Sequence, residues 1–370
     1  MVVAEQLRRR VPGGIGTYAA GLLSGLAVAD HPGVELTLLA GRSGRHAGRL
    51  TGPGVGGTTG EPAAGPDPLT RWGLPVETGA LPGRGLVRLW DHGRGRPRGG
   101  HDVLHAVSQA FPVSAAPLSV MVHDLSYRHF PEAFPPRGRR WHEASLARVI
   151  ERAAVVIAPS RATAEDLAEA GARRTEVIEH GADHLPPPDT ERTAALLDRL
   201  GIEGPFVLSV GTLEPRKNLS RAMAGYALAR AGLPEPWPLA VVGPTGWGPG
   251  VEPVEGAVMA GPVDDAVLAG LYSAARCLLY VPLLEGFGLP PVEAMAHGLP
   301  VVASPMPGTG GAGLEVSPDD PEEIGQALLL AATDGPIREQ LIEKGRQRAA
   351  ALTWATCAGR HIEVWESLCR

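Results

Sequence analysis

The chain alternates short apolar runs with longer stretches whose apolar residues recur at helical spacing. Eight runs predict buried β-strands, at residues 34–39, 102–107, 119–124, 154–160, 206–211, 239–243, 277–282 and 300–304. Several segments around them predict helices, among them 17–28, 141–152, 161–171 and 320–333. Strands that alternate with helices in this way predict an α/β fold class, with parallel sheets covered by helices.

The length of the chain predicts more than one domain. A chain of 370 residues exceeds what one ordinary hydrophobic core fills. The proline-rich stretch at 185–190 cannot continue a helix, and we place the domain boundary there. The prediction is a first domain over residues 1–188, a second over 191–352, and a terminal helix over 353–370.

Composition narrows the function classes. The net charge of -6 argues against a dedicated nucleic-acid binder, because neutralising phosphates needs a concentrated basic surface. Three cysteines, Cys277, Cys357 and Cys369, offer neither a disulfide framework nor the spacing of a zinc site. No run approaches the roughly 20 apolar residues of a membrane-spanning helix, and the N-terminus does not resemble a signal peptide. We therefore expect a cytoplasmic protein, free or at the inner face of the membrane.

Residues 84–98 combine five arginines with interleaved apolar residues such as Leu86 and Trp90. One interpretation is a peripheral surface for anionic lipid or for an anionic acceptor. The other is a solvated irregular loop, which the missing period across residues 41–100 favours.

The segment that follows the strand at 277–282 concentrates candidate binding chemistry. Gly286, Phe287 and Gly288 form a turn that leads into a helix opened by two prolines. Such a helix start directs backbone N–H groups and a positive dipole end at an anion, for example a diphosphate. Glu285 is placed to accept hydrogen bonds from sugar hydroxyls, and Glu293 to bind the vicinal hydroxyls of a ribose. The alternative is that Glu293 merely favours a helix N-terminus and Glu285 is a loop residue.

The segment "EPRKN" supplies two adjacent cations, Arg216 and Lys217, just after the strand that ends at Gly211. The chain has two lysines in all, so an ammonium group at this position favours a specific role over chance. Two fixed cations offset the charge that builds on a departing phosphate, and one such contact is worth about 3 kcal/mol of barrier. Gly211 joins the predicted donor-binding residues.

A glycine-rich segment near the N-terminus has two interpretations. Gly14 to Ala19 matches the G-x-G-x-x-A pattern of dinucleotide-binding dehydrogenases. That pattern requires a strand immediately before the turn and an acid at the end of the next strand, whereas Glu35 lies at the start of its strand. The sequence favours a flexible glycine loop, with Gly14 and Gly16 closing over a donor, ahead of a helix at 17–28.

The strand at 119–124 ends in His123 and Asp124. Site residues of open parallel sheets lie where strands end. We expect His123 to contact the transferred sugar or the acceptor, and Asp124 and Tyr127 to contribute to the acceptor site. A structural role for this histidine is the alternative.

Taken together, these motifs resemble the retaining family-4 glycosyltransferases of GT-B fold. The resemblance rests on "GGIGTY", "VHDLSY", "VIAPSRATAEDL", "VGTLEPRKNL", "GPVDDAVLAGLYSAA" and "EGFGLPPVEAMAHGLPVVAS", which occur in family order. It implies two Rossmann-like doubly wound domains facing a central cleft, with a terminal helix that crosses back to the first. It also implies transfer of a hexosyl group from a nucleotide-diphosphate sugar to a hydroxyl acceptor in glycan, glycolipid or natural-product biosynthesis, without a metal or other cofactor.

The resemblance also assigns residue roles. Arg216 and Lys217 would hold the donor diphosphate, and the backbone from Phe287 to Leu289 would contact the phosphate and the sugar. Val263 would meet the base. The sequence is similar to actinobacterial mannosyl- and rhamnosyltransferases, which makes GDP-mannose the first candidate donor.

Two alternatives share this predicted donor site. A non-hydrolysing sugar-nucleotide epimerase would use the donor without an acceptor. A non-catalytic nucleotide-sugar-binding module would bind the donor without turnover. The acceptor site is expected in the variable parts of the first domain, at residues 41–100 and 125–140.

Overall fold

The computed structural model describes residues 1–9, 12–28, 31–42, 67–248 and 250–370. The chain divides into two compact units. Unit 1 comprises Met1–His123, Arg140–Ile178 and Trp354–Arg370, and unit 2 comprises Asp124–Arg139 and Glu179–Thr353.

The division differs from the predicted boundary at 185–190, because unit 2 already includes the chain from Glu179 onward. The backbone N–H of Ala182 donates to the carbonyl of Leu352 at 2.9 Å, which ties this stretch to the last turn of unit 2. Within the described ranges, no helix combines the length and the apolar content needed to cross a membrane.

The described residues of unit 1 form a seven-stranded parallel sheet. Its strands are β1 (Val2–Val3), β2 (Leu38–Ala40), β3 (Val76–Thr78), β4 (Leu104–Ala106), β5 (Leu118–Met121), β6 (Val155–Ala158) and β7 (Thr175–Val177). The spatial order is β3-β2-β1-β4-β5-β6-β7. Val2 pairs with Leu38 on one side and with His105 on the other, so β1 is an interior strand of the sheet. This order is that of a doubly wound nucleotide-binding fold.

The described residues of unit 2 form a second parallel sheet, which has six strands. Its strands are β8 (Val207–Val210), β9 (Leu239–Val242), β10 (Ala257–Gly261), β11 (Cys277–Tyr280), β12 (Val301–Ala303) and β13 (Leu314–Glu315). The order is β10-β9-β8-β11-β12-β13. The order reverses between β8 and β11, and the carboxyl ends of strands at such a switch point are where open α/β sheets bind ligands.

Helices cover the sheets. They are α1 (Gly13–Val28), α2 (Gly83–Asp91), α3 (Ser126–His129), α4 (Pro136–Arg152), α5 (Arg161–Glu169), α6 (Thr190–Arg199), α7 (Leu219–Arg230), α8 (Asp265–Ala274), α9 (Leu289–Ala296), α10 (Pro321–Ala332), α11 (Pro336–Ala350) and α12 (Trp354–Cys369). Central strands such as β5, β6, β8 and β9 are almost fully buried, as expected for parallel strands with helices on both faces.

Two local expectations are wrong. The glycine segment does not form a loop before a helix, because α1 begins at Gly13 and includes Gly14 and Gly16 in its first turn. A Cβ at Gly16 would lie 2.1 Å from the Cβ of Pro12, so this close turn requires a glycine. Residues 84–91 of the basic segment belong to helix α2 rather than to an irregular loop, because Leu86 and Trp90, one turn apart, are both buried, whereas 92–98 form neither helix nor strand. Contact of this segment with lipid stays a prediction.

Helix α12 packs along α1 inside unit 1. The approach is close enough to require glycines. A Cβ at Gly21 would lie 2.1 Å from the indole of Trp354, and a Cβ at Gly25 would lie 2.1 Å from the carbonyl oxygen of the same residue. Beneath this contact the hydroxyl of Tyr18 is 3.0 Å from Nε2 of His105 and 2.8 Å from Nε2 of His361. This buried network joins α1, β4 and α12.

Candidate active site

The first component of the site is the turn between β8 and α7. Residues Pro215–Lys217 form one turn of 3-10 helix, and Asn218 follows with φ of 56°. Asparagine tolerates this left-handed conformation better than most residues. The Asn218 side chain donates to the carbonyls of Val281 at 2.9 Å and Pro318 at 2.7 Å. These bonds fix the turn, so the preceding two cations are held at the end of β11.

The second component is the glycine turn between β11 and α9. Gly288 has φ of 94° and precedes the helix, and a Cβ there would lie 2.4 Å from the sulfur of Met306. Both conditions require glycine. Two of the first helical positions are prolines, which carry no backbone N–H, so the helix start presents the amides of Gly288 and Leu289. The two turns are joined by the backbone N–H of Leu283, which donates to the carbonyl of Arg216 at 2.9 Å.

The side chains of the two turns converge on one oxygen of Glu285. Oε1 accepts from Nζ of Lys217 at 2.5 Å, from Nη1 of Arg216 at 2.8 Å and from the hydroxyl of Tyr280 at 3.0 Å. The Lys217 ammonium also donates to the Tyr280 hydroxyl at 2.7 Å. Nη2 of Arg216 donates to Glu214 at 2.8 Å. The structure therefore brings Arg216, Lys217 and Glu285 together, as the sequence predicts.

Burial and charge act in opposite directions on this cluster. Burial by itself raises the pKa of Glu285, but the nearby charges of Arg216 and Lys217 more than offset it and hold that pKa below its usual value. Burial likewise lowers the pKa of Arg216, and Glu285 and other carboxylates more than offset it, so that this pKa is raised. Both groups are therefore charged at neutral pH.

The cluster includes two further residues that were not singled out from the sequence. Glu214 directly precedes "PRK" and is 8% exposed, and its burial raises its pKa above the usual value despite the neighbouring Arg216. Tyr280 is the last residue of β11, and burial holds its pKa well above the usual value, so that it remains a neutral donor. The position of Tyr280 at a strand end is the same sequence feature that singled out His123.

Glu293 forms a second buried cluster. The structure places it in the second turn of α9, 6% exposed. One carboxylate oxygen lies 3.1 Å from Nε2 of His184 and the other accepts from the hydroxyl of Tyr272 at 2.8 Å. Neither partner was singled out from the sequence, because His184 lies in a loop and Tyr272 in the last turn of a helix.

The other predicted donor-binding residues of unit 2 lie at loop and strand ends. Gly211 follows β8, and Val263 follows β10 and directly precedes Asp264, the N-cap of α8. Gly286 lies between Glu285 and Phe287. Phe287 is buried, with its ring 5.0 Å from that of His180.

Of the two residues predicted for the acceptor site, Asp124 lies two residues before α3 and accepts from the backbone N–H of Ser126 at 3.0 Å. Its charge also contributes to the raised pKa of Arg216. Tyr127 is buried, with its ring 6.4 Å from that of Phe134. Their roles stay predictions.

The predicted site residues of unit 1 are His123, Gly14 and Gly16. His123 lies just after β5, with Nε2 2.9 Å from the carbonyl oxygen of Val107. Its ring meets that of Tyr18 edge-on, at 5.0 Å between centroids. Tyr18 belongs to α1, so His123 and the two glycines are linked through this helix.

Among the described residues, no group of three or more His, Cys, Asp or Glu side chains could hold a metal ion. The chemistry that the residues offer is instead a pair of cations beside a helix N-terminus, with a carboxylate between them. Such a set suits a ligand that carries phosphate and hydroxyl groups together.

Comparison with known proteins agrees with this chemistry. The family described as Glycosyltransferase Family 4 matches residues 12–184, and the family described as Glycosyl transferases group 1 matches residues 204–334. The O-antigen chain mannosyltransferase B of Escherichia coli is 30% identical over 264 residues, which cover 66% of this chain and 69% of that protein. The chain belongs to the family-4 glycosyltransferases. It is a glycosyltransferase. These matches confirm the resemblance seen in the motifs, and they disfavour the dehydrogenase alternative.

Other relatives in this family are more distant. The serotype-specific mannosyltransferase WbdA of Escherichia coli is 27% identical over 253 residues, which cover 63% of this chain but only 31% of that protein. The D-inositol 3-phosphate glycosyltransferase of Jonesia denitrificans is 27% identical over 245 residues, with 59% of this chain and 58% of that protein covered.

Solved structures confirm the fold class. HepE of Anabaena, in complex with UDP and glucose, matches with a TM-score of 0.69 and 19% identity over 99% of this chain and 98% of that one. The sucrose-phosphate synthase of Thermosynechococcus elongatus matches with a TM-score of 0.68, 19% identity and the same coverage. The protein therefore has the predicted GT-B fold with two Rossmann-like domains.

Proposed function

We propose that this glycosyltransferase moves a hexosyl group, with mannosyl as the first candidate, from a nucleotide-diphosphate sugar to a hydroxyl acceptor. The acceptor would be a glycan, a glycolipid or a natural product. The observation that carries the proposal is the convergence of Arg216, Lys217 and Tyr280 on Glu285 beside the start of α9. The mannosyltransferases among its relatives support mannose, and GDP-mannose is the donor to test first.

The donor diphosphate would bind between the two cations and the first amides of α9. Lys217 uses two of its three N–H donors on Tyr280 and Glu285, and Arg216 has N–H groups beyond those that reach Leu284, Glu285 and Glu214. These further donors can be directed at phosphate oxygens. The backbone of Phe287, Gly288 and Leu289 would add the contacts of a helix N-terminus, and Gly211 would border the same site.

Glu285 would hold the sugar. The three side-chain bonds that it accepts from described residues all end on Oε1, and we assign Oε2 to the sugar hydroxyls. Glu293 would bind the ribose hydroxyls and Val263 the base. In unit 1, Gly14 and Gly16 would approach the donor phosphates, and His123 would contact the sugar or the acceptor. Asp124 and Tyr127 would serve the acceptor, as would parts of residues 41–100, of which 43–66 lie outside the described residues.

We propose that the reaction retains the anomeric configuration by attack on the same face. The acceptor oxygen forms a bond to the anomeric carbon while the bond from that carbon to the phosphate oxygen breaks. The electron pair stays on the phosphate, which also takes the acceptor proton. Arg216 and Lys217 offset the charge that develops there. This route needs no covalent enzyme intermediate and no metal, so a trapped glycosyl adduct or a loss of rate in EDTA would contradict it.

The experiment is a transfer assay with GDP-mannose, UDP-glucose and other nucleotide sugars, with a panel of hydroxyl acceptors and with NMR of the product anomer. Lys217→Met is expected to lower the rate about 10²- to 10³-fold. The matched control is Lys344→Met, since Lys344 is the other lysine and is exposed on α11. Equal rates for the two variants would refute the proposal. An isomerised donor formed without any acceptor would support the epimerase instead.

A further inference from the structure

The carboxylate of Glu293 is held by two residues from outside its own helix. His184 belongs to the loop after β7, and Tyr272 to the third turn of α8. Each approaches a different oxygen, at 3.1 Å and 2.8 Å. The side chains of His184 and Glu293 are 13% and 7% exposed. Three segments distant in sequence therefore converge on one buried carboxylate.

Burying the Glu293 carboxylate costs free energy in the folded protein. A carboxylate removed from water must be compensated by hydrogen bonds and charge. Tyr272 supplies a neutral donor, because burial holds its pKa well above the usual value. Burial by itself lowers the pKa of His184, but the hydrogen bond and charge of Glu293 more than offset it, and that pKa is raised. His184 is thereby favoured as the imidazolium that balances Glu293.

The two contacts also leave the carboxylate with binding capacity in a defined orientation. A carboxylate offers about four acceptor positions, two on each oxygen. His184 occupies one on the first oxygen and Tyr272 one on the second. As far as the described residues go, one acceptor position on each oxygen is left for a ligand, and the rotation of the carboxylate is fixed. Two adjacent acceptors in a fixed plane match two vicinal hydroxyl groups.

We propose that His184 and Tyr272 are positioning residues that aim Glu293 at the 2′- and 3′-hydroxyls of the donor, so that the site selects ribonucleotides. This assignment rests on the proposed function, in which Glu293 binds the ribose. It adds the pair of residues on which that contact depends, and it accounts for a buried ionic cluster that the transfer chemistry does not use.

The test is calorimetric titration with GDP or UDP, whichever binds the wild type more tightly, and with its 2′,3′-dideoxy analogue. The wild type is expected to bind the ribonucleotide at least about tenfold more tightly than the analogue, as two hydrogen bonds to a charged group predict. His184→Ala and Tyr272→Phe are each expected to weaken ribonucleotide binding about tenfold and to leave the analogue's affinity unchanged. A mere loss of structure would weaken both ligands equally.

Two further variants sharpen the test. His184→Gln can still donate to Glu293 and is expected to restore most of the selectivity that His184→Ala loses. His92→Gln, at an exposed histidine of unit 1, is the matched control and should bind the ribonucleotide and the analogue with the affinities of the wild type. Equal affinity of the wild type for ribonucleotide and analogue would overturn the assignment and leave the proposed function standing. Absence of any nucleotide binding to the wild type would refute both.

Discussion

The ion pair between Arg216 and Glu285 should be strongly coupled in the folded protein without any ligand. The two side chains are 14% and 12% exposed, and Nη1 lies 2.8 Å from Oε1. Two unit charges about 4 Å apart interact by about 4 kcal/mol at an effective dielectric constant of 20, against about 1 kcal/mol in water. Because Arg216 also pairs with Glu214, we expect a coupling energy of about 3 kcal/mol.

The assay is a double-mutant cycle on the free energy of unfolding in urea, with Arg216→Met, Glu285→Gln and the double variant. Arg230 and Glu255 provide the matched control, since their charged atoms are 2.9 Å apart but the side chains are 27% and 87% exposed. The coupling in this exposed pair is expected to be below about 1 kcal/mol. Similar coupling energies in the two cycles would refute the view that burial strengthens the cluster.

The same pair gives a pH dependence with a defined sign. The pKa of Glu285 in the folded protein lies below its usual value, so the unfolded chain takes up this proton first as the pH falls. The stabilisation is therefore complete above the ordinary carboxyl pKa of about 4.3 and is lost as the pH falls through the lowered value. Glu285→Gln should remove this part of the acid sensitivity in urea titrations carried out at a series of pH values.

Three other predictions concern the scaffold. Gly25→Ala should destabilise unit 1 by about 1–3 kcal/mol in urea unfolding, since its Cβ would overlap a carbonyl oxygen. The control is Gly359→Ala on α12, where the new Cβ would lie in open space, and this variant should be neutral or stabilising. Asn218→Ala should cost about 2–4 kcal/mol and Asn218→Gly less, because glycine accepts the positive φ while both variants lose the two bonds that the side-chain amide donates and the one that it accepts from Arg221. The reverse order would contradict the assigned strain. Burial lowers the pKa of His361 to about 4, so stability should fall by about 3 kcal/mol between pH 6.5 and 4, and His361→Gln should flatten that slope.

The predicted donor site was accessible from the sequence because its parts are local. Glu285, the glycine turn and the helix start are neighbours along the chain, and "EPRKN" is one short segment. Each sits where a strand ends, and the carboxyl ends of neighbouring parallel strands lie at the same edge of a sheet. The pattern therefore predicted that Arg216, Lys217 and Glu285 would lie close together. It did not predict Glu214 as the second partner of Arg216, or the three donors on a single oxygen.

The strands likewise divide into those that the sequence predicted and those that it did not. All eight predicted runs overlap strands of the structure, and the strands absent from that prediction include the four edge strands, β3, β7, β10 and β13. An edge strand is covered on fewer sides, and these four are largely intermediate or exposed in burial. Their residues need no continuous apolar run, so periodicity gives no clear indication of them.

By itself, the sequence determined the α/β class, the central strands and the segments that carry the candidate chemistry, because hydrophobic period, glycine and proline act over a few residues. Only the tertiary structure decided which distant residues meet. His184 and Tyr272 reach Glu293 from other segments, and Gly25 must be small because Trp354 crosses it. These contacts depend on how sheets and helices pack, and packing joins residues whose separation along the chain leaves no periodic trace.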